Sequence, residues 1–479
     1  MKSDKKKDAL LSMIRLGKPM TLGEQARLVM FLATPAILAQ LTTTIMQYID
    51  ASMVGSMGAE ASASIGLMET TMWLLGSICS ATAAGFYVQV SHQLGSNDPA
   101  RARSTLRQGI MSVLVVSALL GLVSLAVSPF LPTWLGGNSH ITPTASAYFA
   151  IVATALPIFQ FSIFGAGMLR SSGNMVVPSV MSVVMMSLDV VFNFFLIFPT
   201  RPMELFGTQI MMPGMGMGVM GAAIGTVSAE LVAASITMYI LCFRSKELSL
   251  RIDTGRFLPT WGVVKRALHI SLPMGLQQTI MCSAYVMTTI IIAPLGTFAI
   301  AANSFGIIIE SLCYMPGYGI ADAATTLVGQ SMGAGRHELM KRFAWLSVGL
   351  GVTVMAVMGV VMYVGAPTAM AMMTPAEEVR RLGVEVLRIE AFAEPMFAAA
   401  IVSYGVFVGA AKTLVPSIMN LISIWGVRIS LAAMLAPSMG LRGVWIAMCI
   451  ELCFRGLIFL VKLKFWNIQI SCKYYGKDQ

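Results

Sequence analysis

Two stretches of the chain decide its fold: PAILAQLTTTIMQYIDASMVGSMG at residues 35–58 and PMGLQQTIMCSAYVMTTIIIAPLG at residues 273–296. Each begins at a proline, continues as a long apolar run and ends at a glycine. The two prolines lie 238 residues apart (273 − 35), and the same offset relates further residues up to residue 179, which indicates an internal repeat. The pairs are Gln40 with Gln278, Gly58 with Gly296, Gly95 with Gly333, Pro157 with Pro395, Gly167 with Gly405, and Val177–Ser179 with Val415–Ser417.

The composition is that of a membrane protein. Of 479 residues, 56% are hydrophobic and only 11% are charged, and the mean hydropathy is +0.77. Soluble domains carry roughly 25% charged residues, so a soluble enzyme, a nucleic-acid-binding protein and a disordered scaffold are excluded. The net charge of +10 comes from basic residues between apolar runs, as in the loops of membrane proteins.

Apolar runs separated by charges and turn residues predict twelve membrane-spanning helices. Lys and Arg concentrate at the termini and in the even-numbered connections, so the positive-inside rule places both termini in the cytoplasm. Six spans per half give the halves parallel topology, related by a pseudo-two-fold axis along the membrane normal. We therefore predict an all-α integral membrane protein with two six-helix lobes. The predicted spans are 26–53, 64–92, 104–132, 142–164, 174–198, 218–243, 264–292, 298–327, 342–366, 380–405, 414–436 and 443–467.

The predicted organisation follows from these spans. A cytoplasmic N-terminal segment without the features of a signal peptide comes first. Two lobes joined by a cytoplasmic linker follow, and a cytoplasmic tail ends the chain. The ranges are 1–25 for the segment, 26–245 for the N-terminal lobe, 246–263 for the linker, 264–467 for the C-terminal lobe and 468–479 for the tail.

Four motifs resemble those of multidrug and toxic compound extrusion (MATE) transporters. They are Pro35 with YIDASMVGSMGAEA at 48–61, VSHQLGSNDPARAR at 90–103, LVGQSMGAGRHELMKR at 327–342 and GAAKTLVPSIMN at 409–420. Each motif is loose, but their order and the repeat register make them specific together. The resemblance covers almost the whole chain. It implies two six-helix lobes around a V-shaped cavity and export of amphiphilic, often cationic compounds against inward H⁺ or Na⁺.

The seventh predicted helix indicates the branch of the family. Members of one branch carry an acidic residue midway along it, whereas residues 264–292 contain no Asp or Glu, only Gln277 and Gln278. The chain is therefore more similar to the bacterial DinF-type members, whose coupling carboxylates lie in the N-terminal lobe. This similarity favours H⁺ as the coupling ion, with Na⁺ as the alternative.

Acidic residues inside membrane helices are costly and point to function. Asp50 lies in the first predicted helix and matches the first-helix aspartate of the family. Asp189 and Asn193 are spaced i, i+4 and share one helix face, although the family usually has Asn first and Asp second. Thr226 matches a threonine of the sixth helix that faces the same pocket. We predict that these four residues form the ion-coupling site. The alternative for Asp50 is a carboxylate that reaches the membrane surface from the helix end.

Further residues are predicted around the transport pathway. Pro35 and Pro273 would kink their helices. Glu310 and Glu394 would face the cavity or pair with Arg388, Arg428 or Arg455, and a structural ion pair is the favoured interpretation for Arg428 and Arg455. Methionine suits a pocket of many shapes, although most of the 39 methionines are expected to pack against lipid. The predicted cavity residues are Met46, Gln47, Gln278, Met281, Glu310 and Glu394.

Together these features predict a multidrug efflux antiporter of the bacterial plasma (inner) membrane that works by alternating access. The alternative is a lipid-linked oligosaccharide flippase of the same superfamily, which would need a more cationic cavity. A receptor or an intramembrane enzyme is disfavoured because no catalytic motif appears, and no phosphate-binding loop supports ATP-driven transport. We expect a monomer without enzymatic activity, cofactor or metal. Its expected partners are amphiphilic drugs or toxins and membrane lipid, with no nucleic acid.

Overall fold

The computed structural model describes residues 2–205 and 208–466, and it is almost entirely helical. In these ranges ten helices are long and apolar enough to cross a membrane, and there are up to twelve spans when each of two bent helix pairs counts as one. The predicted all-α membrane fold is thus confirmed. The predicted tail, 468–479, lies outside the described residues.

The first half of the chain contains nine helices and a hairpin within the described ranges. The hairpin is antiparallel and lies after residue 179, where the repeat register ends. A π-helical turn, Ile240–Arg244, follows the last of these helices. The elements are α1 Lys2–Arg15, α2 Leu22–Gly55, α3 Ala59–Gly95, α4 Pro99–Val127, α5 Leu131–Trp134, α6 Thr142–Thr154, α7 Leu156–Ser171, α8 Val176–Ile197, β1 Pro199–Leu205, β2 Thr208–Met215 and α9 Gly218–Tyr239.

The second half contains eight helices in its described part. A 3₁₀ turn, Ala293–Leu295, follows the first, and a π-helical segment, Ser423–Ile429, interrupts the predicted eleventh span. The helices are α10 Trp261–Ile292, α11 Thr297–Gly333, α12 His337–Met373, α13 Glu377–Glu390, α14 Glu394–Gly409, α15 Leu414–Ile422, α16 Ser430–Met439 and α17 Leu441–Lys464.

The sequence repeat is also a repeat of backbone conformation. Residues with positive φ recur at the 238-residue offset, and two of them, Gly58 (φ 113°) and Gly296 (φ 97°), immediately precede α3 and α11. Glycine is favoured at both positions because other residues rarely adopt such φ values. Two further pairs with positive φ are Asn97 with Gly335, and Gly173 with Ala411.

Two predicted spans are bent at equivalent places. The axes of α6 and α7 differ by 48°, and those of α13 and α14 by 58°. Pro157 and Pro395 lie at the second residue of α7 and of α14, and they are 238 residues apart. A proline there provides no amide hydrogen for the preceding turn, which accounts for the break in each span.

The helices form two compact units. The first unit comprises Leu32–Ser283, and the second comprises the residues up to Phe31 together with those from Ala284 on. Phe86, Phe164 and Met168 belong to a buried core of the first unit, and Trp445 and Val386 to a core of the second. The predicted lobe boundaries at 26–245 and 264–467 stay a prediction.

The connection between Arg244 and Trp261 is fastened to α4 within the first unit. Arg103 Nε lies 2.7 Å from Asp253 Oδ2, and Arg107 contacts the other carboxyl oxygen and the main-chain carbonyl of Asp253. Both arginine side chains are buried. They hold the pKa of Asp253 below its ordinary value, chiefly through the hydrogen bond from Arg107. The Thr260 amide also donates to Gln108 Oε1 at 2.8 Å.

The N-terminal segment forms the helix α1, which was not among the predicted helices. Leu11 and Ile14 of α1 are buried in the second unit, and Arg336 Nη1 donates to the Met13 carbonyl at 3.0 Å. The basic residues at the start of α1 lower the average hydrophobicity of the segment, so its apolar side is not evident from composition.

Candidate ion-coupling site

One amide connects two acidic side chains in the first unit. Asn193 Nδ2 lies 3.1 Å from Asp50 Oδ1 and 3.1 Å from Asp189 Oδ2. The carboxyl groups of Asp50 and Asp189 are also within hydrogen-bonding range of each other. The predicted i, i+4 spacing puts Asp189 and Asn193 on the face of α8 that meets α2. Three of the four predicted coupling residues therefore form one cluster.

The cluster is buried and has acceptor oxygens to spare. Asp189 is 0% exposed and Asn193 is 1% exposed, while Asp50 is half-buried. Among the described atoms, Asp189 Oδ1 and Asn193 Oδ1 have no hydrogen-bond partner. Two ionised carboxylates at such close range repel each other strongly, and a proton on one of them removes the repulsion and provides a donor between them. The arrangement is suited to binding a proton.

Close packing of α9 holds the amide in place. A Cβ atom at Gly225 would lie 2.0 Å from Asn193 Oδ1, so only glycine lets α9 approach α8 this closely. No sequence pattern indicated a role for Gly225, although it stands beside Thr226 in GAAIGTVSAE. Thr226 is half-buried and makes no hydrogen bond to the cluster within residues 2–205 and 208–466.

Two further polar groups lie near the cluster. The Tyr148 hydroxyl on α6 is close enough to interact electrostatically with Asp50 and Asp189. Glu230 on α9 interacts electrostatically with Asp189 and accepts a hydrogen bond from Ser162. No spacing rule links Tyr148 to Asp50 in the sequence. The proximity of Tyr148 to the cluster is evident only from the packing of α6.

The sequence matches the MatE family over residues 35–195 and 273–434. The chain belongs to the MatE family. The two matched segments begin 238 residues apart, so the family pattern occurs once in each repeat. This confirms the resemblance that the four motifs indicate.

Related proteins and solved structures of similar fold agree with this assignment. It is 24% identical over 435 residues to the probable multidrug resistance protein NorM of Thermotoga maritima, covering 90% of each chain. It is 26% identical to the NorM protein of Chromobacterium violaceum, covering 95% of this chain and 96% of that one. The crystal structure of MATE in complex with MaL6 superposes with a TM-score of 0.84 at 18% identity, covering 95% of this chain and 97% of that chain. A MOP superfamily transporter from Pyrococcus furiosus superposes with a TM-score of 0.83 at 18% identity, over the same shares of the two chains.

The predicted cavity residues of the MatE protein fall in both units. In the first unit, Gln47 on α2 is exposed, and Met46 on α2 and Gln278 and Met281 on α10 are half-buried. Glu310 on α11 and Glu394 on α14 are buried in the second unit. Pro35 and Pro273 lie inside α2 and α10, where the kinks were predicted.

A second group of buried acids lies in the second unit. Glu390 and Glu394 are each 1% exposed, flank the α13–α14 break and interact electrostatically with Glu310. In the described part of the chain, none of the four carboxyl oxygens of Glu390 and Glu394 has a hydrogen-bond partner. Glu390 lies inside the predicted span 380–405, but no sequence pattern gave it a role.

Arg428, which is half-buried, and Arg455, which is buried, pair with a different acid. Arg428 Nη2 lies 2.9 Å from Glu451 Oε2, and Arg455 Nη2 lies 2.6 Å from Glu451 Oε1. The predicted structural ion pairing of Arg428 and Arg455 is confirmed, with Glu451 as the partner instead of Glu310 or Glu394. Arg388 lies over the Tyr363 ring, 5.2 Å from its centre, and donates to the Tyr363 carbonyl.

Proposed function

We propose that this MatE protein is a multidrug efflux antiporter that exports amphiphilic, cationic compounds in exchange for H⁺. The observation that carries the proposal is the buried cluster of Asp50, Asp189 and Asn193. The names of the NorM relatives, which match over at least 90% of the chain, support multidrug substrates. The acid-free seventh span and the acids in the first unit favour the DinF-type branch.

Proton binding would act on the packing of α2 against α8. With both carboxyl groups ionised, Asp50 and Asp189 repel and favour hydration of the site. A proton entering from outside lets the two groups hydrogen-bond to each other, so α2 moves closer to α8. Ser179 Oγ on α8 donates to the main-chain carbonyl of Pro35, so this contact is close to the proline at which α2 can change its bend. The resulting shift of α2 weakens cargo binding in the outward-facing state.

Proton coupling is favoured over sodium coupling by the donor in the cluster. Asn193 directs an N–H group to each carboxyl group, and a proton shared between Asp50 and Asp189 completes this network without displacing the amide. The flippase alternative is disfavoured because Glu451 pairs with both Arg428 and Arg455. In the described structure both arginines are engaged by this carboxylate, which makes them poorly suited to hold a pyrophosphate-linked cargo.

The membrane arrangement belongs to the same proposal. The Lys and Arg distribution supports both termini in the cytoplasm of a bacterial cell, with the protein in the inner membrane. The six-helix lobes at 26–245 and 264–467 would alternate access to a central site, and the protein would act as a monomer without cofactor.

Transport of an ethidium-like cation by proteoliposomes tests the proposal. Efflux is measured with and without Na⁺ at two pH values, under an imposed pH gradient. We expect efflux to follow the pH gradient, to be independent of Na⁺ and to release protons when cargo is added. Efflux that follows a Na⁺ gradient at constant pH would show that the coupling ion is Na⁺ and not H⁺. Movement of lipid-linked oligosaccharide but not of the cation would support the flippase.

A further inference from the structure

A groove of about 680 Å³ opens on the first unit beside the π-helical turn Ile240–Arg244. Its walls come from α4, α7, α9 and the connection that follows α9. Leu231, Tyr239, Phe243 and Phe257 each line it with more than two-fifths of their surface exposed. On a surface that faces hydrocarbon, an apolar concavity of this volume has room for an acyl chain.

Two arginines stand beside the aromatic wall of the groove. The Arg251 guanidinium lies 5.0 Å from the centre of the Phe243 ring, and that of Arg244 lies 6.0 Å from the Tyr239 ring. Neither arginine forms an ion pair with another described residue. Asp253, an acid of the same connection, is engaged by Arg103 and Arg107. Residues 244–251 contain three basic residues and one acid, Glu247. The groove is therefore apolar inside and carries a net positive charge at one end.

We propose that this groove is a binding site for an anionic phospholipid. One acyl chain would lie along α7 and α9, and the phosphate would meet Arg244 and Arg251. The apolar span Gly218–Arg244 ends at Arg244, so the arginines lie at the depth of the headgroups when α9 crosses the bilayer. Planar guanidinium groups recognise phosphate through paired hydrogen bonds, and basic pockets between membrane helices bind anionic headgroups.

The groove is preformed, which distinguishes it from ordinary contact with surrounding lipid. Leu250 and Phe257 in its wall belong to the connection that the Asp253 contacts fasten to α4. An occupant would thus meet a fixed surface. The arginines also disfavour a cationic cargo at this place, so the site is distinct from the proposed transport pathway.

Native mass spectrometry of the delipidated protein tests the proposal. Phosphatidylglycerol and phosphatidylcholine with the same acyl chains are titrated separately, and short-chain phosphatidylglycerol tests the headgroup alone. We expect long-chain phosphatidylglycerol to bind most tightly. The double variant Arg244→Gln/Arg251→Gln should weaken it roughly 30-fold and leave phosphatidylcholine unchanged. Ser235→Trp, which fills the groove from an exposed position, should weaken both long-chain lipids.

A matched control removes two positive charges at the end of another membrane-spanning helix, α17. Lys464 lies 5.8 Å from the Phe465 ring at the end of another span, so Lys462→Gln/Lys464→Gln should leave phosphatidylglycerol binding unchanged. Equal binding of the two long-chain lipids by the unaltered protein would overturn the proposal. So would unchanged phosphatidylglycerol binding by the arginine variant. If Ser235→Trp abolished cation transport but not lipid binding, the groove would be a cargo site. Failure of any of these tests leaves the proton-coupling proposal untouched.

Discussion

Asn193 Nδ2 lies 3.1 Å from Asp50 Oδ1, and this contact joins the fifth apolar span of the chain to the first. The same nitrogen lies 3.1 Å from Asp189 Oδ2, one turn earlier on its own helix. A change in the charge of either acid therefore alters the hydrogen bonds of both. This link makes the pair, and not either acid alone, the unit that we expect to respond to protons.

Replacing either acid by its amide should uncouple transport. Asp50→Asn and Asp189→Asn keep the side-chain volume but remove one of the two groups that share a proton. We expect efflux driven by a pH gradient to fall more than about tenfold in each variant, with unchanged unfolding temperature. Proteoliposomes loaded with a fluorescent cation measure it. The control is Glu69→Gln, since Glu69 is an exposed acid of the same unit and makes no hydrogen bond with the pair in the described structure. Wild-type efflux by Asp50→Asn would refute the coupling role.

A methyl group at Gly225 should disturb the amide. The new Cβ of Gly225→Ala would lie 2.0 Å from Asn193 Oδ1, so the side chain or α9 must move. We expect a cost of about 1–3 kcal/mol in unfolding free energy and weaker proton coupling. Gly76→Ala is the control, because its Cβ meets no atom within 4 Å and helix propensity alone should stabilise it by about 0.5–1 kcal/mol. Equal stability and transport in the two variants would contradict the packing argument.

Breaking the buried ion pairs should cost much more than breaking an exposed one. Glu451→Gln removes the carboxylate that pairs with both half-buried Arg428 and buried Arg455, and we expect a loss of about 3–5 kcal/mol. Glu385→Gln removes the partner of Arg442, an exposed pair at 2.6 Å, and should cost about 0–1 kcal/mol. Unfolding in detergent, followed by tryptophan fluorescence, compares them. Similar losses in both variants would mean that burial does not set the energy of the Glu451 pairs.

The contacts of Asp253 should contribute stability that depends on pH. Arg107 and Arg103 hold the pKa of this carboxyl group below its ordinary value of 3.8, so the contribution is complete above that value and is lost as pH falls further. Thermal unfolding of wild type and Asp253→Asn should therefore differ by a constant amount between about pH 5 and 7, and the difference should shrink below about pH 4.

The exposed acid Glu338, which lies 3.9 Å from Lys341, provides the comparison for this experiment. Glu338→Gln should produce little change at any pH, since an exposed pair of this length contributes little. A stability difference for Asp253→Asn that stays constant down to pH 3 would argue against the assignment.

The repeat and the spans were predictable because lipid restricts the backbone to few forms. A helix satisfies its own hydrogen bonds in hydrocarbon, so long apolar runs such as 342–366 must be helical, and here the helix continues to His337 and Met373. The spacing of Asp189 and Asn193 likewise fixes their shared helix face. In these cases local geometry alone determines the outcome.

The surroundings of Thr226, Glu451 and α1 depend on tertiary packing, which the spacing of residues along the chain does not predict. The position of Thr226 on α9 gives no distance to Asp50, and in the described structure Thr226 makes no hydrogen bond to the cluster. Glu451 takes both arginines because α17 lies beside the π-helical segment that carries Arg428. The helix α1 has few apolar residues, and it is stabilised by burying Leu11 and Ile14 against a distant part of the chain.

The two equivalent bends, between α6 and α7 and between α13 and α14, carry different side chains. At the 238-residue offset, Glu390 and Glu394 correspond to Val152 and Leu156, which flank the bend between α6 and α7. Since the first half makes its bend with two apolar side chains, the turn of the backbone in the second half does not need its two acids. Substituting either glutamate by glutamine should keep the angle. We therefore expect the two buried glutamates to serve transport and not the bend between α13 and α14.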